Sequence, residues 1–432
     1  MRSAAPENLA FFRGMRPIGL GFSPFHAKLL DNRPEPDGRS VGLHKNSSVN
    51  QTGAAELIDW WPIAVAAVCA GILMPIGIRA RSIGVDEADS ARKLHLVATS
   101  RLGGAMVVAA CLVALSVASL AGPMGPSGSL PLAVVALPVV LAGLCEDVTR
   151  RVRPRYRMLA AVGAAILASA FSQGIIPRVD LPLVDALIPH LWIALPLTWF
   201  MVAGACNAFN LIDGANGLAG GTSLIMFGGL AAAAGWTGDA STLNEALVVM
   251  GALAGFLAWN YPRGRIFLGD AGAYFVGFMY AELSIRLVAR NADISAWYVI
   301  MLAAYPIVET LFSIYRRKIF HRTPSTSSDA LHLHSLIYRR VTLPAELRHP
   351  DGDRSRANAR VAPYLWLHGA LCFLVAVAFH QNSAALWIGL AAYLAFYVNR
   401  YRTLGRFGGK RPWRRSMALE RGPDVIERPD VL

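Results

Sequence analysis

The sequence predicts an all-α, polytopic integral membrane protein of about eleven transmembrane helices, and three observations carry that prediction. Hydrophobic residues make up 54% of the 432-residue chain and charged residues only 16%, against roughly 25% charge in an average soluble chain. About eleven predominantly apolar stretches approach the ~20 residues that cross a ~30 Å hydrocarbon core. The loops between them alternate in charge: 31 of the 41 Lys and Arg lie in one set, whereas the opposite loops hold only Arg178 and Arg290.

Residues 1–56 are Pro-, Gly-, Asn- and Ser-rich, contain no 18-residue apolar run, and are expected to form a disordered extension. The membrane domain is expected over 57–402. Its first span, 60–80, is followed by a basic loop, and Gly103 and Gly104 open the second, 103–121. The third, 130–146, ends in LAGLCEDVTRR, and the fourth, 157–172, is rich in Ala. The fifth, 190–207, runs into NAFNLIDGANGLAGG, which opens the Gly- and Ala-rich sixth at 217–235. The seventh, 245–261, leads through WNYPRGRIFLGD into the eighth, 267–287. The ninth, 296–315, precedes a long loop, 316–361, that contains SSDALHLHSLIYRR. Spans 362–380 and 384–400 complete the set, and 403–432 is a basic tail along the inner surface. Cys69, Cys111, Cys145, Cys206 and Cys372 all fall in apolar stretches, so neither a disulfide framework nor a zinc ribbon is expected.

Cytoplasmic loops accumulate Lys and Arg, which makes the basic set cytoplasmic. The net charge of +13 is thereby a topology signal and does not point to nucleic acid.

Polar residues with chemical potential gather at the cytoplasmic ends of the spans. A charge at a helix centre costs about 2.5 to 3.5 kcal/mol on insertion scales, so each one near membrane depth is a functional candidate. Glu146 and Asp147 fit either a solvated helix end or a working pair of acids. Asp-Gly and Asn-Gly are turn dipeptides, yet Asn207, Asn210 and Asp213 bring more hydrogen-bonding capacity than a tight turn needs. Asn260 precedes Asp270, and Asp270, one turn into its span, needs a cation, an Arg such as Arg263 or Arg265, or a water-filled cleft. Asp329, His332 and His334 form either a solvated loop or a ligand-bearing one. Topology alone accounts for Arg92, Lys93, His95 and Arg101, whereas Gly103 and Gly104 permit close backbone approach. Together, Glu146, Asp147, Asp213 and Asp270 share one side with Lys93, Arg101 and His332. Hard oxygen ligands among cations suit Mg²⁺ and a phosphate substrate.

On these residues the chain resembles the polyprenyl-phosphate N-acetylhexosamine-1-phosphate transferases, over about residues 57–400. Five motifs occur in family order. RKLHLVATSRLGG matches RKxHxxPTPRxGG, with Ala98 and Ser100 replacing prolines and Asp86 one residue too far upstream for the family Asp. Glu146 and Asp147 stand where the family has two aspartates. NAFNLIDGANGLA matches NxxNLIDGxDGLA, with Asn216 for the second Asp. FLGDAGA matches FLGDxGS, with Ala273 for Ser and Asn260 at the family's separation. His332 and His334 match the histidine motif, with Ser335 for its last His.

The resemblance implies a cytoplasmic active-site cleft in a bacterial inner membrane protein. There, a HexNAc 1-phosphate passes from a UDP-sugar to undecaprenyl phosphate, UMP is released, and synthesis of a cell-surface polysaccharide such as O-antigen or capsule begins. It implies catalytic roles for Glu146, Asp147, Asp270 and His332, and a Mg²⁺ site, with Mn²⁺ as the alternative, on Asp270 and Asp147. Substrate contacts are implied for Lys93, His95, Arg101, Asn207, Asn210, Asp213, Asn216, Asn260 and His334. The partners expected are the UDP-sugar, the polyprenyl phosphate, the bilayer and a second copy in a homodimer. Direct attack by the lipid phosphate is favoured over a covalent route through Asp147. A secondary transporter is the rival class, but its acids belong near the bilayer midplane on broken helices, and a catalytically degenerate homologue is the other alternative.

Overall fold

The computed structural model describes residues 61–80, 85–86, 99–121, 132, 134–172, 174–318, 331–348 and 353–406. The chain divides into a unit Met1–Leu57 and a unit Ile58–Leu432. The expectations for 1–56, for the tail beyond Arg406, and for Lys93, His95 and Asp329 lie outside the described residues.

A helix stands at each of the eleven apolar stretches. In chain order these include α1 (Trp61–Arg79), α2 (Gly103–Ala121), α3 (Leu137–Thr149) and α4 (Pro154–Phe171); a one-turn α5 (Pro182–Asp185) lies before α6 (Leu191–Ile212), α7 (Leu218–Thr237), α8 (Ala240–Asn260) and α9 (Gly269–Arg290). The ninth stretch is split into α10 (Ala296–Leu302) and α11 (Ala304–Arg316). After the loop come α12 (Leu333–Ile337), a π-helical turn Tyr338–Thr342, α13 (Leu343–Glu346), α14 (Arg354–Ala359), α15 (Val361–Ala378) and α16 (Ser383–Arg406). Among the described residues, β structure is one antiparallel pair, β1 (Val85–Asp86) with β2 (Thr99–Ser100). Five helical segments, α1, α6, α7, α8 and Arg354–Ala378, are each long and apolar enough to cross a membrane alone, and α10 and α11, bent by 76°, reach that length and apolarity only when taken together. The fold is an all-α polytopic membrane protein.

Local chemistry sets the helix ends. Pro154 supplies the first turn of α4, where its missing N–H costs nothing. Asp239 caps α8 by accepting from Thr242 N–H, and Ser295 caps α10 by accepting from Trp297 N–H. The 76° bend between α10 and α11 falls where Pro306 removes the N–H that would bond the carbonyl four residues earlier. Several helices outrun their apolar stretches, and at the C-terminal end α6 and α16 do so by the most. α6 continues to Ile212, so Asn207 and Asn210 lie on the helix and not in a loop, because no breaker intervenes before Asp213-Gly214. α16 continues to Arg406, its basic C-terminal end favoured by the helix dipole.

Packing is organised around α9. Every residue of α9 from Gly269 to Val288 is buried, with α2, α3 and α6 packed closely on it and α4, α7 and α8 also touching it. The outer helices turn apolar side chains outward: Val68, Ile72 and Ile76 form an exposed stripe on α1 at four-residue spacing, and Leu367, Leu371 and Leu374 form one on α15 at spacings of four and three. In a bilayer such a stripe faces lipid. Inside, Arg286 of α9 bonds Glu245 of α8 at 3.1 Å, so this buried charge is paired.

Where α2 crosses α9 the two backbones touch. A Cβ on Gly104 would collide with the amide nitrogen of Gly272, and one on Gly143 of α3 would lie 2.5 Å from the Cα of Ala271. Small residues permit this approach. Gly104→Ala is therefore expected to destabilise the protein by about 1–3 kcal/mol, the range for overpacking a filled core. Gly163→Ala, on α4 with open space around it, is the matched control, expected to be neutral or slightly stabilising. Thermal unfolding in detergent checks the pair, and equal midpoints for both variants would contradict the crossing.

Candidate active site

The N-terminal end of α9 is where the motifs meet. The segment before it pairs with the segment before α2: Phe267 N–H donates to the Ser100 carbonyl at 2.9 Å, Gly103 N–H to the Phe267 carbonyl at 3.0 Å and Gly104 N–H to the Leu268 carbonyl at 2.8 Å. Two of the amides that a helix start leaves without intrahelical partners are thus satisfied for α2. Gly269, at φ +70°, lies in the left-handed region, and a Cβ there would collide with the Arg101 carbonyl oxygen.

Two of the first amides of α9 are satisfied by a carboxylate from another element. Asp147, fully buried on α3, accepts from Asp270 N–H through Oδ1 and from Ala271 N–H through Oδ2, both at 2.9 Å. Asp213, in the turn after α6, comes near enough to Gly269 N–H, Arg101 and Asp147 for all three to act on its carboxyl. Negative charge is favoured at this end of a helix. Asp270 itself points to two arginines: Arg101 Nη2 is 3.6 Å from its Oδ1, and Arg157, from the first turn of α4, pairs with its Oδ2. Arg101 also approaches Asp147 Oδ1 through Nε at 3.7 Å. Three acids and two guanidinium groups therefore meet at one helix terminus.

The remaining expected residues fall into three groups. Asn207 and Asn210, half-buried and three residues apart, share the face of α6 that ends at Asp213. Asn216 and Asn260 are buried and tie loops together: Asn216 N–H donates to Asn358 Oδ1 at 2.9 Å and its Nδ2 to the Pro262 carbonyl at 3.1 Å, while Asn260 accepts from Gly217 N–H at 2.6 Å and donates to the Ile266 carbonyl at 2.7 Å. A carboxylate at 216 has no proton for Pro262, which accounts for an amide at that place. His332 and His334 stack at 5.4 Å, and the His334 ring lies against Gly214, one residue from Asp213. Glu146, half-buried, directs its carboxylate along its own chain to Val152 N–H at 2.8 Å and is not joined to α9. Adjacent positions on a helix diverge by about 100°, so only one of the two acids reaches that terminus.

Sequence reasoning missed Arg157 and Glu309. Arg157 is one of five arginines in RRVRPRYR and was absorbed into the topology signal; its position as a cation just inside an apolar stretch is the clue. Glu309 sits inside AYPIVETLFSIY and is buried against His332, its Oε1 3.0 Å from the ring Nδ1.

The electrostatics follow from this crowding. Burial pushes the Asp213 carboxyl up to about 7; Arg101 and the Gly269 N–H oppose the shift and Asp147 adds to it. Two of the N–H groups with which a helix start ordinarily binds phosphate are already occupied by Asp147. Recognition of an anion at this place falls to Arg101 and Arg157, and the carboxylates remain as hard oxygen donors.

The model of Glycosyl transferase family 4 matches residues 129–288, the stretch from α3 to α9 that carries Asp147, Arg157, Asp213 and Asp270. The chain is 31% identical over 266 residues to a probable undecaprenyl-phosphate N-acetylglucosaminyl 1-phosphate transferase of Bacillus subtilis, covering 61% of this chain and 72% of the relative. It is 30% identical to a phospho-N-acetylmuramoyl-pentapeptide-transferase of Synechococcus sp. (strain CC9605), covering 71% and 88%. It is 28% identical to an undecaprenyl-phosphate alpha-N-acetylglucosaminyl 1-phosphate transferase of Thermotoga maritima, covering 49% and 62%.

The raised Asp213 value makes stability depend on pH. In the unfolded chain an Asp is ionised above about pH 4, whereas folded Asp213 holds its proton to about 7. Between those values the folded state binds more protons, so its stability falls as pH rises through the window. Asp213→Asn keeps the size of the side chain and an acceptor oxygen and removes the charge. Thermal midpoints in metal-free detergent at about pH 5 and 8 are expected to drop less for the variant than for wild type; parallel drops contradict the assignment.

Proposed function

The chain belongs to Glycosyl transferase family 4, and from its site we propose that it transfers a HexNAc or related sugar 1-phosphate from a UDP-sugar to undecaprenyl or another polyprenyl phosphate, releasing UMP. The observation that carries this reading is the convergence of Asp147, Asp213 and Asp270 with Arg101 and Arg157 at the start of one buried helix. The product would serve as the lipid-linked start of a cell-surface polysaccharide, made on the cytoplasmic face of a bacterial inner membrane.

In this reaction one phosphoanhydride replaces another, so the chief obstacle is repulsion between an anionic acceptor and an anionic donor. Arg101 and Arg157 answer it with two fixed cations beside Asp270. Exchanging a carboxylate partner for a phosphate oxygen costs a guanidinium little, since it binds either in the same planar geometry. The lipid phosphate, with a second pKa near ~6, is largely ionised at cytoplasmic pH. A strong general base is therefore unnecessary, and direct attack is favoured over an acyl-phosphate on Asp147, whose oxygens are both engaged by backbone amides.

The donor set fits Mg²⁺, with Mn²⁺ as the alternative. Asp270 and Asp147 offer hard oxygens with lone pairs beyond those already used. Among the described residues no group of three or more His, Cys, Asp or Glu forms a metal cage, and Mg²⁺ is commonly held by one or two carboxylates plus substrate phosphates. Bound there, the ion would neutralise pyrophosphate charge. Glu146, spent on Val152 N–H, shapes the turn between α3 and α4.

Purified protein offered a panel of UDP-sugars with undecaprenyl phosphate should release UMP only when Mg²⁺ or Mn²⁺ is present. Asp270→Asn and Arg157→Met should each lower kcat by ~100-fold or more, as loss of a preorganised charge does, whereas Glu146→Asp should stay within ~10-fold, equivalent to ~1.4 kcal/mol. Turnover undiminished in excess EDTA, or an Arg157→Met variant as fast as wild type, refutes this assignment.

A further inference from the structure

α11 carries an acid that the mechanism above does not use. Glu309 is 1% exposed within an apolar helix, where an unpaired carboxylate is costly. Its Oε1 lies 3.0 Å from His332 Nδ1 and accepts from Leu333 N–H at 3.2 Å; its Oε2 accepts from the Tyr397 hydroxyl at 2.9 Å and from Leu333 N–H at 3.3 Å. Ser313 Oγ, one helical turn along α11, lies 3.1 Å from the same His332 nitrogen. One carboxylate thus joins α11 to the start of α12 and to α16.

His332 leads back to the active site. Its ring stacks on His334, and His334 rests on Gly214, beside Asp213. Glu309 therefore stands against the histidine motif, at His332 Nδ1. With Nδ1 committed to Glu309, any service to a substrate phosphate falls to Nε2. A carboxylate at one ring nitrogen sets both the tautomer and the ring orientation.

The geometry points to Glu309 as a positioning residue, holding His332 with its Nε2 directed to the phosphates of the transfer reaction. This rests on the transferase reading given above. A purely architectural role, joining α16 to α11 through Tyr397, needs only an acceptor, which a glutamine also provides. The two roles therefore separate experimentally.

Steady-state kinetics of Glu309→Gln, His332→Asn and the double variant form the test, with Tyr397→Phe as the architectural control. Glu309→Gln is expected to lower kcat by ~10-fold or more, the low end for losing acid–base or orienting assistance, with KM for the UDP-sugar little changed. The double variant should be no slower than His332→Asn alone, Glu309→Asp should recover part of the rate, and Tyr397→Phe should keep a near-normal kcat. Losses that multiply in the double variant, or a His332→Asn variant as active as wild type, overturn the proposal.

A measurement independent of turnover uses ¹⁵N-histidine spectra of the full chain in detergent, with His332 identified by its absence from His332→Asn. Wild type should show the Nδ1–H tautomer and Glu309→Gln a mixture; identical spectra overturn the proposal even if kinetics are ambiguous. If no donor releases UMP with wild type, the transferase reading fails, and the spectra alone decide whether Glu309 sets the ring.

Discussion

The start of α9 is the constraint on which the rest of the structure depends. A helix whose every residue is buried as far as Val288 cannot leave its first amides without partners. The chain meets the demand with a side chain from a distant segment: Asp147 covers two amides. Folding and chemistry thereby use the same atoms. The carboxylate required to finish the helix is one of those that gather beside Asp270, and Arg101 and Arg157 balance them.

The bilayer imposes a second order on the molecule. Lipid provides no hydrophobic drive between helices, so close approach of small residues and internal polar pairs must supply the cohesion. Gly104 against Gly272 and Gly143 against Ala271 provide the first kind, and Glu245 with Arg286 the second. The charged residues of α9 explain why the helix at the centre of the protein is not among those apolar enough to cross a membrane alone. It is solvated by its neighbours and not by lipid.

Much of this was legible in the sequence because each acid stands at the end of an apolar run, where a charge is conspicuous. Asp147, Asp213 and Asp270 are marked in that way, and the side they share follows from the distribution of Lys and Arg. Arg157 was hidden by the same rule, since an arginine in a cytoplasmic loop already has an explanation. Glu309 carried the signal that singled out Asp270, an acid within an apolar run, but lay far along the chain from its histidine partner. Asn216 and Asn260 illustrate a different limit. An amide that holds a backbone carbonyl and one that meets a ligand look identical in a sequence, and only the fold shows these two occupied by Pro262, Ile266 and Gly217. The extension of α6 to Ile212 was masked because hydropathy ends before helicity does.

The crossing of α2 over α9 has a mechanical meaning as well. Two backbones that touch without intervening side chains, and that are stitched by amides from Gly103 and Gly104 to the residues just before α9, cannot slide or roll past each other without a clash. Arg101 and Asp270 therefore keep a fixed stagger. This wall behaves as a rigid jaw, and any displacement around Asp270 has to be taken up by elements other than α2 and α9.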